Sequence, residues 1–341
     1  MNQPSQKKRP SMKDVAELAG VSQTTVSFVI NNTPDAGIPE NTKQRVWAAV
    51  KKLGYRPNVL AQSLRMQRSG IIGFISDKIA ITPQAGKIFE GAQDVAWAHG
   101  KILLLVNTKN NPELKDAGID MLLARQVEGI IYGTMFHRPV DPPVSLREVP
   151  TVLLDCFAED RSYPSVVPDE IAGGQKATEI LINKGHRRIA FINCTDPVPA
   201  SFYRLEGYRT ALRIHNIPYD ETLVYESIST PDGGYRGTQA LMRLPDPPTA
   251  IFCFNDRMAM GAYDALRKLG KRIPNDVAIM GFDNQELIAA YLYPPLSTME
   301  LPHLEMGKWA VNHLLRQISG KKDVKPVQHK IECPYIERDS T

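Results

Sequence analysis

The chain has 341 residues, 43% hydrophobic and 23% charged, with a formal charge of +4. It is too long for one small core, and its make-up is that of a folded protein rather than a disordered one. No apolar run reaches the roughly 18 residues that span a bilayer, so no membrane partner is expected. Four widely spaced cysteines form no CxxC pair, and seven scattered histidines form no HExxH motif, so neither a metal nor a cofactor is expected.

The charge is unevenly placed along the chain. Residues 1–70 carry 11 Lys and Arg against 4 Asp and Glu, a net of +7, which leaves −3 for the remainder. A basic head on a mildly acidic body is the asymmetry of a nucleic-acid-binding module joined to something else. The N-terminal stretch leads into a charged amphipathic pattern instead of an apolar signal core, so the expected location is cytoplasmic.

In "SMKDVAELAG", Met12, Val15, Ala16 and Ala19 recur at helical spacing, and Ser11 is placed to cap the start. Gly20 can take the left-handed conformation that ends a helix, with Val21 packing across the turn. Ser22 then caps a second helix whose inward face is Val26, Val29 and Ile30. Its outward side carries Gln23, Thr24, Thr25 and Ser27, with hardly a charge. Two helices joined by a tight glycine turn form a helix-turn-helix. A third run, "NTKQRVWAAVKKLGY", puts Val46, Trp47, Val50 and Leu53 on one face to complete a three-helix core. Amide and hydroxyl side chains can match the donor and acceptor pattern of base edges, where lysines would bind any phosphate. After Pro57, Asn58 can cap a short helix reaching Leu64, too short to be stable alone.

"MKDVAELAGVSQTTVSFVINN", then "TKQRV" and "LGYRPNVLAQSLR", together resemble the lactose-repressor (LacI) family of bacterial transcription regulators. The family's V-S-x-x-T-V-S is matched by Val21, Ser22, Thr25, Val26 and Ser27, and Gln23 and Thr24 fall on its specificity pair. The resemblance implies DNA contacts from Met12, Ser22, Gln23, Thr24, Thr25, Ser27, Phe28, Asn31, Tyr55, Asn58 and Leu64. Phe28 stands where arginine is common, and an apolar ring suits a thymine methyl better than guanine. Leu64 matches the leucine that wedges into the minor groove when two hinge helices pair. The implied partners are double-stranded operator DNA, a second copy in a homodimer, and a small effector.

From Ile71 onward, apolar runs ("IIGFIS", "ILLLV", "GIIYG", "TVLLD", "RIAFIN", "AIFCF", "VAIMGF") alternate with amphipathic segments. The expected class is α/β, with parallel sheets covered by helices on both faces. The resemblance extends over nearly the whole chain and implies a two-lobed core of the type I periplasmic-binding-protein kind. The expected boundaries are 1–57 for the helix-turn-helix domain, 58–69 for the hinge and 70–341 for the core. Within the core, the N-lobe is placed at about 70–168 and 300–325, and the C-lobe at about 169–299 and 326–341.

Ligands of such sheets bind beyond the carboxyl ends of the strands. That rule selects Asp77, Asp155, Asn255, Asp256 and Asp283, and Arg204 opens a helix facing the same cleft. The family resemblance implies effector contacts from Asp77, Arg204, Asn255 and Asp283 in particular, and the expected effector-binding set is Asp77, Gln84, Asp155, Arg204, Asn255 and Asp283. Carboxylates with an amide and an arginine suit a hydroxyl-rich ligand. In the purine-binding branch of the family, aromatic residues line the pocket at positions that here fall on Gln84, Ala85 and Ser229, which points to a sugar instead. A transport-type sugar-binding protein would share the core, but the basic head and the missing signal sequence count against it. An enzyme would need a nucleophile or phosphate loop, and no GxSxG, Walker or post-strand GxGxxG motif occurs.

Overall fold

The computed structural model describes residues 10–31, 33, 36–56, 68–79, 82, 85–321, 323 and 325–341. The chain divides into two compact units, 1–69 and 70–341.

The first unit is built on α1 (Met12–Ala19), α2 (Gln23–Ile30) and α3 (Glu40–Leu53). Ser11 and Asp14 form a reciprocal capping box at the start of α1. Gly20 ends α1 in the left-handed conformation at φ 65°, and the Val21 N–H reaches back to the Ala16 carbonyl, which turns the chain sharply into α2. Ser22 caps α2 by accepting the Thr25 N–H at 3.1 Å. Val15, Ala16, Ala19, Val26, Val29, Val46 and Ala49 form the core. Trp47 does not join it: its side chain is 49% exposed. The core stripe of α3 runs through 46, 49, 50 and 53, and residue 47 is turned by about 100° from Val46.

The second unit contains two six-stranded sheets. In the first, β1 (Ile71–Ser76), β2 (Ile102–Asn107), β3 (Gly129–Val140), β4 (Thr151–Ala158), β5 (Ser165–Pro168) and β11 (Gln328–Ile331) lie in the order β11-β5-β4-β3-β1-β2, all parallel. Successive side chains of a strand point to opposite faces. Ile72 and Phe74 therefore pack with Ile88 and Ala92 of α4 (Gly86–Ala98) and with Val311 and Leu314 of α11 (His303–Ile318). Ile75 faces the other way, onto Ile119 and Leu122 of α5 (Pro112–Ala124).

The second sheet holds β6 (Ile189–Cys194), β7 (Val224–Ser227), β8 (Ala250–Cys253), β9 (Ala278–Asp283), β10 (Ser297–Glu300) and β12 (Tyr335–Ile336), in the order β12-β10-β9-β8-β6-β7. It is parallel except for β12, which runs antiparallel to β10. The long helices of this lobe are α6 (Glu170–Asn183), α7 (Pro199–Ile214), α8 (Pro231–Leu241) and α9 (Asp256–Lys268). The short α10 (Glu286–Ala289) follows β9.

The lobe boundary expected at residue 326 is corrected. Gln328–Ile331 pairs with Ser165–Pro168 in the first sheet, so the last crossing lies between Ile331 and Tyr335. The edge pairing decides this: Gln328, His329 and Lys330 are too polar to announce a strand, and the apolar residues they lie beside, Val166 and Val167, belong to the neighbouring strand.

Candidate DNA-binding surface and effector cleft

On the first unit, Gln23 and Thr24 are fully solvent-facing in the first turn of α2, while Thr25, Ser27, Phe28 and Asn31 are half-buried along the same helix. The Ser22 hydroxyl is engaged as the cap and lies 2.9 Å from Thr25 Oγ1. Asn31 Nδ2 donates to Ser27 Oγ at 3.1 Å. No acidic residue occupies the first turn of α2, so its N-terminal amides present positive potential, which favours an approaching phosphate. Met12 is half-buried against the three-helix core, and Tyr55 belongs to that core at 9% exposure. Asn58 and Leu64 lie outside the described residues.

In the second unit, a cavity of about 180 Å³ opens between the lobes. From the first lobe it is lined by Phe136, His137 and Asp155; from the second by Glu170, Asp196, Arg204, Phe254, Asn255, Arg257 and Asp283. Four of the expected effector residues (Asp155, Arg204, Asn255 and Asp283) therefore converge here.

Arg204 is the centre of the second-lobe wall. Its Nε and Nη2 form a fork with Glu170 at 2.6 and 3.2 Å, Nη1 donates to the Phe254 carbonyl and to Asp283 Oδ1, and the guanidinium lies 3.7 Å over the Phe282 ring. Burial by itself would loosen the proton of Arg204, but Glu170 and Asp283 outweigh it and the guanidinium is held more firmly charged than usual. Burial pushes the Asp283 carboxyl up from its ordinary range, and Arg204 pulls it back. Asn255 caps α9, its side-chain oxygen accepting the Met258 N–H at 2.9 Å. Asp256 turns away from this wall to accept from the Gln285 N–H and the Thr298 hydroxyl, both at 2.6 Å, which makes it a structural tie between α9 and the strands beside it.

Asp155 sits on β4 with φ 55°, a backbone conformation that side-chain-bearing residues rarely adopt and that recurs at functional sites. Burial, then repulsion from Glu170 and Asp77, pushes its carboxyl well up. Among the described residues, Asp155 Oδ1, His137 Nδ1 and Arg257 Nε are buried without a hydrogen-bond partner. Three orphaned polar atoms around one cavity are what a site for a polar ligand looks like before the ligand arrives.

Asp77 is not part of this wall. Its Oδ1 accepts the Met135 N–H at 2.9 Å and its Oδ2 accepts from Arg138 at 3.1 Å, beside a separate cavity in the first lobe. The register of β3 against β4 shifts between Gly133 and Arg138, and Asp77 anchors that irregular segment, which carries Phe136 and His137 to the cleft. Gln84 lies outside the described residues. Sequence reasoning did not select His137, Glu170, Asp196 or Arg257. Arg257 does follow the "FND" strand end and could have been found there. Glu170 follows a four-residue strand too short to be seen.

A helix-turn-helix unit and a two-lobed core with a polar inter-lobe cleft together define a ligand-responsive DNA-binding protein. Residues 11–58 match the description "bacterial regulatory proteins, lacI family", and residues 178–341 match a periplasmic binding protein-like domain. The chain is 34% identical to the HTH-type transcriptional repressor PurR of Actinobacillus pleuropneumoniae, covering 92% of each protein. It is 35% identical to the ribose operon repressor of Escherichia coli, over 91% of this chain and 93% of that one. Among solved structures, it matches the lac repressor dimer bound to operator and the anti-inducer ONPF with a TM-score of 0.79, 27% identity and coverage of 98% and 99%. The chain belongs to the LacI family of bacterial regulatory proteins. It is a transcriptional repressor controlled by an effector, not an enzyme. Among the described residues, no helix is long and apolar enough to cross a membrane.

Proposed function

We propose that this repressor works in the cytoplasm as a homodimer on a roughly palindromic operator, and that a sugar or glycoside bound between the core lobes sets its DNA affinity. The observation that carries the effector class is the set of orphaned polar atoms beside the Arg204–Glu170–Asp283 cluster. A hydroxyl both donates and accepts, so a polyhydroxyl compound can satisfy acceptors such as Asp155 Oδ1 and donors such as Arg257 Nε at once. Ligand contacts fall to Asp155, Arg204, Asn255 and Asp283, with Asp77 supporting them through the β3 irregularity; Gln84 is kept in the set on family resemblance. The 34% identity to a repressor named for purines carries a second reading, a nucleobase. The cleft favours it less, because Ser229 stands at a lining position where the purine-binding branch places a stacking ring.

On the DNA side, Gln23 and Thr24 meet base edges, with Thr25, Ser27 and Phe28 beside them. Met12, Ser22, Asn31 and Tyr55 set the docking, and Asn58 and Leu64 serve the hinge over residues 58–69. The double variant Gln23→Ala/Thr24→Ala is expected to cut affinity for a selected operator about 10- to 1000-fold, on the order of 1.4–4 kcal/mol for the two contacts together. Affinity for random duplex should be nearly unchanged, because phosphate contacts are spared. Equal losses on both duplexes in a gel-shift titration would place the specificity elsewhere.

A thermal-shift library of sugars, glycosides and nucleobases tests the effector class, since a specific ligand raises the melting temperature by mass action. Asp283→Ala should remove the shift produced by the active compound and leave ligand-free operator binding within about twofold. A dose–response identical to wild type would remove Asp283 from the ligand site.

A further inference from the structure

The cleft is unbalanced in charge. Asp155, Glu170, Asp196 and Asp283 line it, against the two arginines Arg204 and Arg257, with the histidines His137 and His303 also on its wall. Arg204 is already committed to Glu170, Asp283 and the Phe254 carbonyl. His137 is buried, and burial lowers its proton affinity. Among the described residues, Asp155 has no cationic partner and its Oδ1 has no partner at all. Asp196, at the mouth, accepts from the neutral Cys194 thiol and Ser229 hydroxyl, each at 3.4 Å.

Building on the effector reading above, we propose that Asp155 and Asp196 make the cleft selective for an uncharged polyhydroxyl ligand and reject the phosphate ester of the same compound. Hydroxyl groups supply the donors that Asp155 Oδ1 lacks. A phosphate ester brings acceptors and about two negative charges at neutral pH, into a region where the fork on Glu170 has consumed Arg204 and where Arg257 alone stands against Asp155 and Asp196. Like charges at short range repel, most strongly where the wall is buried, as at Asp155. The same negative surroundings that raise the proton affinity of Asp155, after burial, would act on the incoming phosphate.

The test is a set of matched pairs titrated calorimetrically into the full-length protein: D-ribose and ribose 5-phosphate, D-glucose and glucose 6-phosphate, myo-inositol and inositol 1-phosphate. The expected result is that the free compound binds at least tenfold tighter than its ester in any pair that binds. Asp196→Asn, which keeps the shape and removes the charge at the exposed position, should narrow that ratio to below threefold; Asp155→Asn, which keeps the shape and can never ionise, provides the same measurement at the buried position. An ester that binds as tightly as its parent, or a ratio unmoved in both variants, overturns the proposal while leaving the effector reading intact. Silence from every pair at millimolar concentration also overturns it, and the effector reading falls too only if the wider thermal-shift library is silent.

Discussion

Arg204→Leu is expected to lower the stability of the 70–341 unit by about 3–5 kcal/mol and to abolish the effector response. The cost comes from what stays behind. Glu170 and Arg204 are each only 3% exposed, and removing one partner of a buried pair leaves the other as an uncompensated charge, a loss in that range. Asp283 loses its cation as well. Shape alone cannot compensate, because the guanidinium is also the plate between the Phe254 and Phe282 rings. The loss should depend on pH with a definite sign. Arg204 holds the Asp283 carboxyl down against burial, so its removal raises that carboxyl further. Protonation then relieves the buried charge, and the gap between variant and wild type should narrow as the pH is lowered from 8 to 5. Urea unfolding of both proteins across that interval measures it; a gap that widens on acidification would show that Arg204 is not balancing these carboxylates. Arg204→Lys should fall between the two, since an ammonium keeps the charge but neither forks onto Glu170 nor stacks between rings.

Gly207→Ala carries the second large effect, and it acts on the same cluster from behind. The helices α6 and α7 cross so closely that a Cβ on Gly207 would fall on the Ile171 carbonyl oxygen and the Gln175 nitrogen, while one on Gly174 would meet the Arg204 backbone. These are backbone atoms of the facing helix, so no side-chain rotation relieves the clash and the helices must part. Overpacking of this kind costs about 3 kcal/mol, which for a unit of this size is a fall in Tm of roughly 6–12 °C. Glu170 opens α6 and Arg204 lies on α7, so separating them stretches the fork of 2.6 and 3.2 Å and should weaken effector binding at least tenfold. The helices of residues 12–53 are held by a core of their own, and non-specific binding of duplex DNA should stay within twofold. A Tm within 2 °C of wild type would mean that the crossing is looser than described.

The local chemistry of residues 11–31 was legible because it is carried by neighbours in the chain. Ser11, Gly20 and Ser22 act within five residues of themselves, and a period of 3.6 reads directly into an inward and an outward face. Trp47 was misplaced for the opposite reason: a large apolar ring one position from Val46 looks like core, and only the packing of three helices shows which stripe is covered. Most central strands announced themselves as apolar runs, whereas Ser165–Pro168, Val224–Ser227, Ser297–Glu300, Gln328–Ile331 and Tyr335–Ile336 are short, and three of these five mark sheet edges, where polarity is tolerated.

The cleft divides in the same way. Strand ends could be read in one dimension, and Asp155, Asn255 and Asp283 came from them; Arg204 came from family resemblance. That Glu170 rather than Asp77 would join Arg204 depends on α6 and α7 crossing at Gly174 and Gly207, and on a bulge in β3 that spends Asp77 on the backbone of Met135. Hydrophobic period and capping are short-range properties, so the sequence alone determined a helix-turn-helix followed by an α/β core. Which charges meet across a crossing is set by backbone approach between segments some 35 to 80 residues apart, and only the tertiary structure decided that.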